Sequence, residues 1–234
     1  MPALIPLELL LQAYLLGWAV AAPVGPVNLE IIRRSLRHRL AAGLCVGLGA
    51  TTADTIYMLA TSFGLSRFLQ SPAVLLVCFV VGGALLGWLS FLAGRDAWKY
   101  LRGTAEPLPS FDKVSAGGDP PAGGGARVSL PRHYLLGVGI TLTNPMTLVF
   151  WMTIAGQLFP GRVPGAGEIV QATLFVWLGT ISWVLTLMAL LTAGRRWIGP
   201  RLFGTISLLG GVVMTWFALR FWWLALHLES VAGG

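Results

Sequence analysis

The feature that most constrains this chain is a series of six long apolar runs, at residues 7–32, 40–63, 72–94, 134–159, 169–193 and 202–226. A helix needs about 20 predominantly apolar residues to cross a hydrocarbon core of about 30 Å, and each run is long enough. A soluble fold could not hide them, because too little charge is left to cover its surface. Lys and Arg number 16 and Asp and Glu 9, so only 11% of the 234 residues are charged, against about 25% in soluble domains. The mean hydropathy of +0.76 agrees. These values exclude a disordered chain and a soluble enzyme. The continuity of the runs excludes a membrane β-barrel, whose strands alternate over short lengths. The expectation is an all-α polytopic membrane protein with six transmembrane helices.

Between the third and fourth runs the composition changes. Residues 103–131 hold Glu106-Pro107-Leu108-Pro109, Gly117-Gly118, Pro120-Pro121 and Gly123-Gly124-Gly125, with no helical apolar period, and read as a flexible linker. The chain then divides into three helices within residues 1–102, a cytoplasmic linker at 103–131 and three helices within 132–234. The net charge of +7 would suggest nucleic acid in a soluble protein, but here the cations lie mostly between apolar runs. Thirteen of the 16 fall in the first, third and fifth loops, and Arg67 and Arg162 alone in the second and fourth. Cytoplasmic loops carry the excess of Lys and Arg, so the odd loops face the cytoplasm and both termini face outward. Ala19-Val20-Ala21 looks like a small-residue cleavage site. A signal peptide opens with Lys or Arg, however, and the early charge here is Glu8, so the segment is expected to be a retained helix.

Three helices is an odd number, so two related halves must be inverted relative to each other. A trace of this is Gly82-Gly83 with Trp88, repeated as Gly210-Gly211 with Trp216 at an offset of 128. Glycine pairs that simply let helices approach would also give it.

Two runs are interrupted. The first contains Pro23-Val24-Gly25-Pro26-Val27-Asn28, and the fourth contains Thr141-Leu142-Thr143-Asn144-Pro145. Each proline removes a donor and frees the carbonyl four residues earlier. These are the carbonyls of Ala19, Ala22 and Thr141. Broken backbone at membrane depth is tolerated where it is buried or lines a watery cavity. Paired breaks in corresponding helices point to a transporter's central site. Pro145 lies 11 residues beyond Tyr134, about 16 Å along a helix and so near the midplane. A packing kink is the alternative.

One acid lies deep in an apolar run. Asp54, in Ala50-Thr51-Thr52-Ala53-Asp54-Thr55, is 14 residues beyond Leu40, roughly 21 Å from the inner edge. Intramembrane carboxylates are costly and face the interior of a bundle, where they serve proton or ion pathways. Asp54 is therefore the candidate proton-coupling residue; a structural acid bonded to Thr hydroxyls is the alternative. At the offset of 128 it maps onto Ser182. Glu30, beside Arg33 and Arg34, reads as an interfacial ion-pair partner, with a gate role as the alternative, and His38, His133 and His227 read as interfacial. Cys45 and Cys78 lie in different runs without CxxC spacing or a nearby His pair, which argues against a zinc site or dithiol centre.

Together these residues resemble the LysE/RhtB family of amino-acid exporters. The likeness rests on Pro23, Gly25, Pro26 and Asn28, on the Gly-rich second helix ending in Asp54, and on Asn144-Pro145 in the fourth. It departs at Val24 and Val27, which split the common Pro-Gly-Pro-Asn-Asn form, and at Met146, where many members have Lys. The resemblance implies a bacterial inner-membrane exporter driven by the proton gradient and built from two inverted three-helix repeats.

The resulting expectation is a secondary exporter of an amino acid or related small metabolite, probed at Pro23, Gly25, Pro26, Asn28, Thr141, Asn144 and Pro145 for substrate and at Asp54 for protons. It needs no cofactor or metal, and its partners are a small-molecule substrate, protons and the lipid bilayer. A homo-oligomer is compatible with this composition. Export of a metal or other inorganic ion is an alternative, although one carboxylate is few ligands. A membrane-embedded enzyme or redox carrier is less favoured still, since the apolar runs hold neither a second deep aspartate nor a converging Ser and His.

Overall fold

The computed structural model describes residues 5–23, 25–38, 40–65, 71–105, 129–158, 164–194, 197 and 199–227. The described residues form eight α-helices and no strand: α1 Leu7–Ala21, α2 Pro26–Arg37, α3 Leu40–Ser62, α4 Pro72–Leu101, α5 Leu130–Leu142, α6 Pro145–Leu158, α7 Ala166–Gly194 and α8 Pro200–Leu226. Residues 106–128 of the expected linker lie outside the described residues. So do Arg39, Arg67, Lys113, Arg127, Arg162, Arg195 and Arg196 of the orientation count.

Helices α3, α4, α7 and α8 are each long and apolar enough to cross a membrane. The pairs α1–α2 and α5–α6 are bent by 73° and 61°, and counting each bent pair as one span gives six. Proline in the first turn opens α2, α4, α5, α6 and α8. There its missing N–H is one the helix could not have bonded, and its φ is already helical. The third apolar run, expected to end at 94, continues as helix to Leu101. Thirty residues make about 45 Å of helix, so the last turns outrun the hydrocarbon and can carry Arg95, Asp96 and Lys99.

Water does not drive helices together in lipid, so close backbone packing must help. Helix α1 lies on α7, with Gly17 against Val176 and Gly179 against the Tyr14 carbonyl. Helix α3 lies on α5 in the same manner, with Gly137 against the Val46 carbonyl and Gly49 against that of Tyr134. A side chain at any of these four glycines would collide with backbone. The two contacts share a sequence: Tyr14-Leu15-Leu16-Gly17 recurs as Tyr134-Leu135-Leu136-Gly137. Each tyrosine hydroxyl is 2.9 Å from a small hydroxyl three residues after the facing glycine, Ser182 for Tyr14 and Thr52 for Tyr134. Ser182 and Thr52 thus hold matching places in the two contacts, and Asp54, onto which the offset of 128 mapped Ser182, lies two residues beyond Thr52 on α3. The third contact joins α4 to α8 through Phe79, Leu86, Leu89, Met214 and Phe221. The outer surface is apolar: Leu7, Trp88 and Leu226 are 68%, 59% and 84% exposed, as expected of side chains that face lipid.

Candidate functional site

The first break is closed by its own chain. Helix α1 ends at Ala21 and α2 begins at Pro26, with Gly25 extended as the cap between them. Asn28, in the first turn of α2, reaches back over the gap. Its amide nitrogen donates to the carbonyls of Ala21 and Pro23, both at 2.8 Å. Its oxygen accepts from the Trp183 indole of α7 at 3.3 Å. Proline geometry pointed to the carbonyls of Ala19 and Ala22, but the amide takes two others because α1 has already stopped. Asn28 is buried and tied on both sides.

The second break is held by its neighbours. Asn144 caps α6, its side-chain oxygen accepting from the Met146 N–H at 3.0 Å. Pro145 is the first residue of that helix. The Thr141 carbonyl, expected to be free, accepts from the Asn144 N–H at 3.2 Å, because the chain tightens before the break. The carbonyl reached from outside is that of Leu142. It accepts from the Tyr57 hydroxyl of α3 at 2.5 Å, and the Cys78 thiol of α4 lies 3.8 Å away. The Thr141 hydroxyl is buried and has no hydrogen-bond partner.

Asp54 sits on α3, one turn before Tyr57. It is 7% exposed, and its Oδ1 accepts from the Trp151 indole of α6 at 3.0 Å. Trp151 is itself fully buried among Tyr57, Met58, Cys78 and Leu148. Asp54 is thus joined to the helix that follows the second break, and through Tyr57 its own helix touches the break itself. Among the described residues no hydrogen bond links Asn28 to Asp54 or to Asn144. The structure therefore presents two bonded centres, Asn28 with Trp183 and Asp54 with Trp151. Each ties a helix that follows a break to an unbroken one.

A buried ionic cluster lies on α2, and the Asp96 side of it escaped the sequence reading. Glu30 is 0% and Asp96 2% exposed. Arg33, also buried, bridges them at 2.7 and 3.1 Å, and Arg34 pairs with Glu30 and Arg37 with Asp96. Glu30 has the arginine partners its spacing suggested and is enclosed by protein. His133, read as interfacial, is buried with its Nδ1 3.2 Å from Arg34. His38 ends α2 with its ring 5.4 Å from that of His133. Burial, with Arg34 and Arg37 beside it, lowers the His38 pKa from 6.5 to about 4, so the ring is neutral at pH 7. The sequence signal was present in the Glu30–Arg33 and Glu30–Arg34 spacings and in an acid between Arg95 and Lys99. Among the described residues no three His, Cys, Asp or Glu come together as a metal site would need.

Long lipid-facing helices, with two proline-broken pairs among the candidate spans, define a multi-pass helical membrane protein. The comparisons make the class specific. The chain belongs to the LysE type translocator family, whose profile matches residues 18–224. It is 28% identical over 218 residues to the "Putative amino acid efflux protein YcgF" of Bacillus subtilis, covering 92% of this chain and 95% of that one. It is also 28% identical over 193 residues to the "Chemotactic transduction protein ChpE" of Pseudomonas aeruginosa, covering 81% and 85%. No solved structure matches the chain.

Proposed function

We propose that the protein is a secondary exporter of an amino acid or related small metabolite, working by proton antiport in a bacterial cytoplasmic membrane. Its six spans form two inverted three-helix repeats, and both termini face outward. Family membership and the efflux name of the Bacillus relative support the cargo class. The paired Tyr-Leu-Leu-Gly contacts support the repeat, since an inverted two-fold exchanges α1 on α7 with α5 on α3. Arginine in the odd loops supports the orientation.

The observation that carries the proposal is the Asp54–Trp151 bond. An ionised carboxylate only accepts hydrogen bonds; a protonated one also donates. Trp151 holds the ionised form against α6. Protonation weakens that hold and gives the acid a hydrogen to place elsewhere, so α6 can turn about Asn144-Pro145. Thr141, with its buried unpartnered hydroxyl, and Asn144 offer polar groups to a substrate at that break. Pro23, Gly25, Pro26 and Asn28 shape the opposite break and keep its carbonyls satisfied. An unpaired polar group in a dry interior costs about 1–3 kcal/mol, which a substrate that bonds to Thr141 recovers.

The test is Asp54→Asn in inverted membrane vesicles loaded with a panel of labelled amino acids from outside. Uptake driven by an acid interior should be lost, while protein abundance and exchange of substrate across the membrane without a gradient persist. Gradient-driven uptake at the normal rate would overturn the coupling role.

A further inference from the structure

Where α2 meets α4, a cavity of about 130 Å³ is lined by Arg33, Arg34, Arg37, His38, Leu92 and Arg95. That is room for about four water molecules. Four guanidiniums border it, and the acids paired with them are Glu30 and Asp96. Four positive charges less two negative leave a local excess of two. Arg95 is exposed and has no ion pair among the described residues. His38 adds no charge at pH 7.

The cavity opens beside an apolar surface. On α4, Trp88 is three and four residues from Phe91 and Leu92, these are four and three from Arg95, and Arg95 is three from Trp98, which places them on one face. Trp88, Phe91 and Trp98 are 59%, 61% and 60% exposed. Arg102 lies 3.5 Å from the centre of the Trp98 ring, marking the polar boundary of that face. Apolar rings on the lipid side lead into arginines at the interface, and indoles favour that depth.

We propose that this cavity binds the phosphate of an anionic phospholipid, with the acyl chains lying along Trp88, Phe91 and Leu92. Guanidinium forks match phosphate oxygens bidentately. Basic pockets between transmembrane helices suit such headgroups. The unmatched charge explains why the ligand is anionic, and the adjoining aromatic face explains why it is a lipid. Inorganic phosphate would satisfy the arginines and leave the rings unused. The site is independent of what the protein transports.

The full chain is reconstituted in nanodiscs of phosphatidylcholine alone or with a minority of phosphatidylglycerol, and thermal unfolding and lipid retention in native mass spectrometry are recorded. Phosphatidylglycerol should raise the unfolding temperature of the wild type and remain bound. Arg95→Gln, which breaks no ion pair among the described residues, should unfold normally in phosphatidylcholine but hold phosphatidylglycerol about fivefold less tightly, as one cation near a membrane surface implies. Arg220→Gln removes the same charge elsewhere and should respond as the wild type does. Equal responses in wild type and Arg95→Gln, or an equal loss in Arg220→Gln, would overturn the site. A wild-type response to millimolar inorganic phosphate as large as that to the lipid would make it a free-anion site and overturn the lipid assignment.

Discussion

The two breaks look alike in sequence, since each joins proline to asparagine, yet they are held in different ways. The first is tied by Asn28, which spends both amide hydrogens on Ala21 and Pro23 and takes a third bond from Trp183. The second uses Asn144 only to cap α6. Its Leu142 carbonyl is held by Tyr57 from another helix. Beyond the breaks the contrast continues. Helix α2 is anchored by a buried ionic cluster, and α6 by the Trp151 indole bond to Asp54. The lesson is that a broken helix can be stiff or adjustable depending on where its lost hydrogen bonds go. Here the break held from a neighbouring helix is the one in contact with the helix that carries the acid.

The largest effect should separate the two anchors. Asp96→Ala leaves buried Arg33 with Glu30 as its acid and takes the acid partner from half-buried Arg37. Breaking a buried pair in this way costs roughly 3–5 kcal/mol. Trp151→Phe removes the N–H, a loss of about 1–3 kcal/mol for a bond to a carboxylate, together with part of the buried ring, which adds a cavity cost. Unfolding in detergent should therefore be easier for the first variant than for the second. Similar losses would mean that α2 and α6 are anchored equally well.

The next effect compares the asparagines themselves. Asn28→Ala strands two carbonyls and an indole N–H, for roughly 2–4 kcal/mol. Asn144→Ala loses one cap, for about 1 kcal/mol. Thermal stability of the two variants in the same micelles would check the order. If Asn144→Ala is the more damaging, the second break is the rigid one and the proposed movement of α6 has lost its hinge.

Much of this was legible in the sequence, but unevenly. The apolar runs and the positions of the breaks follow from local rules: hydrophobic length, and a proline that cannot donate. The partners of Asn28 were not legible, because Trp183 comes from 155 residues away. Asp96 stands just past the apolar run that ends at 94, and a sequence cannot show that α4 continues there and turns that acid toward Arg33. The Tyr-Leu-Leu-Gly repeat at 14 and 134 stood in plain view, at an offset of 120. What gives it meaning is the matching glycine and hydroxyl on each facing helix, which lie far away in the chain.

The smallest effect concerns the end of α2 away from its break. His38 is half-buried with Arg34 and Arg37 on its own helix, Asp96 on α4 and His133 on α5, and its pKa falls from 6.5 to about 4. The unfolded chain takes up a proton near pH 6.5 that the folded one refuses, so this contribution to stability is present above that pH. It is lost as pH falls toward 4. The wild type should lose unfolding temperature across this window, and His38→Gln should lose less, while the two run parallel above pH 7. Because the ring is partly in water, the difference should be small beside that of Asp96→Ala. An equal slope in both would place the ring in solvent and weaken the view that the anchored end of α2 is packed as tightly as its ion pairs suggest.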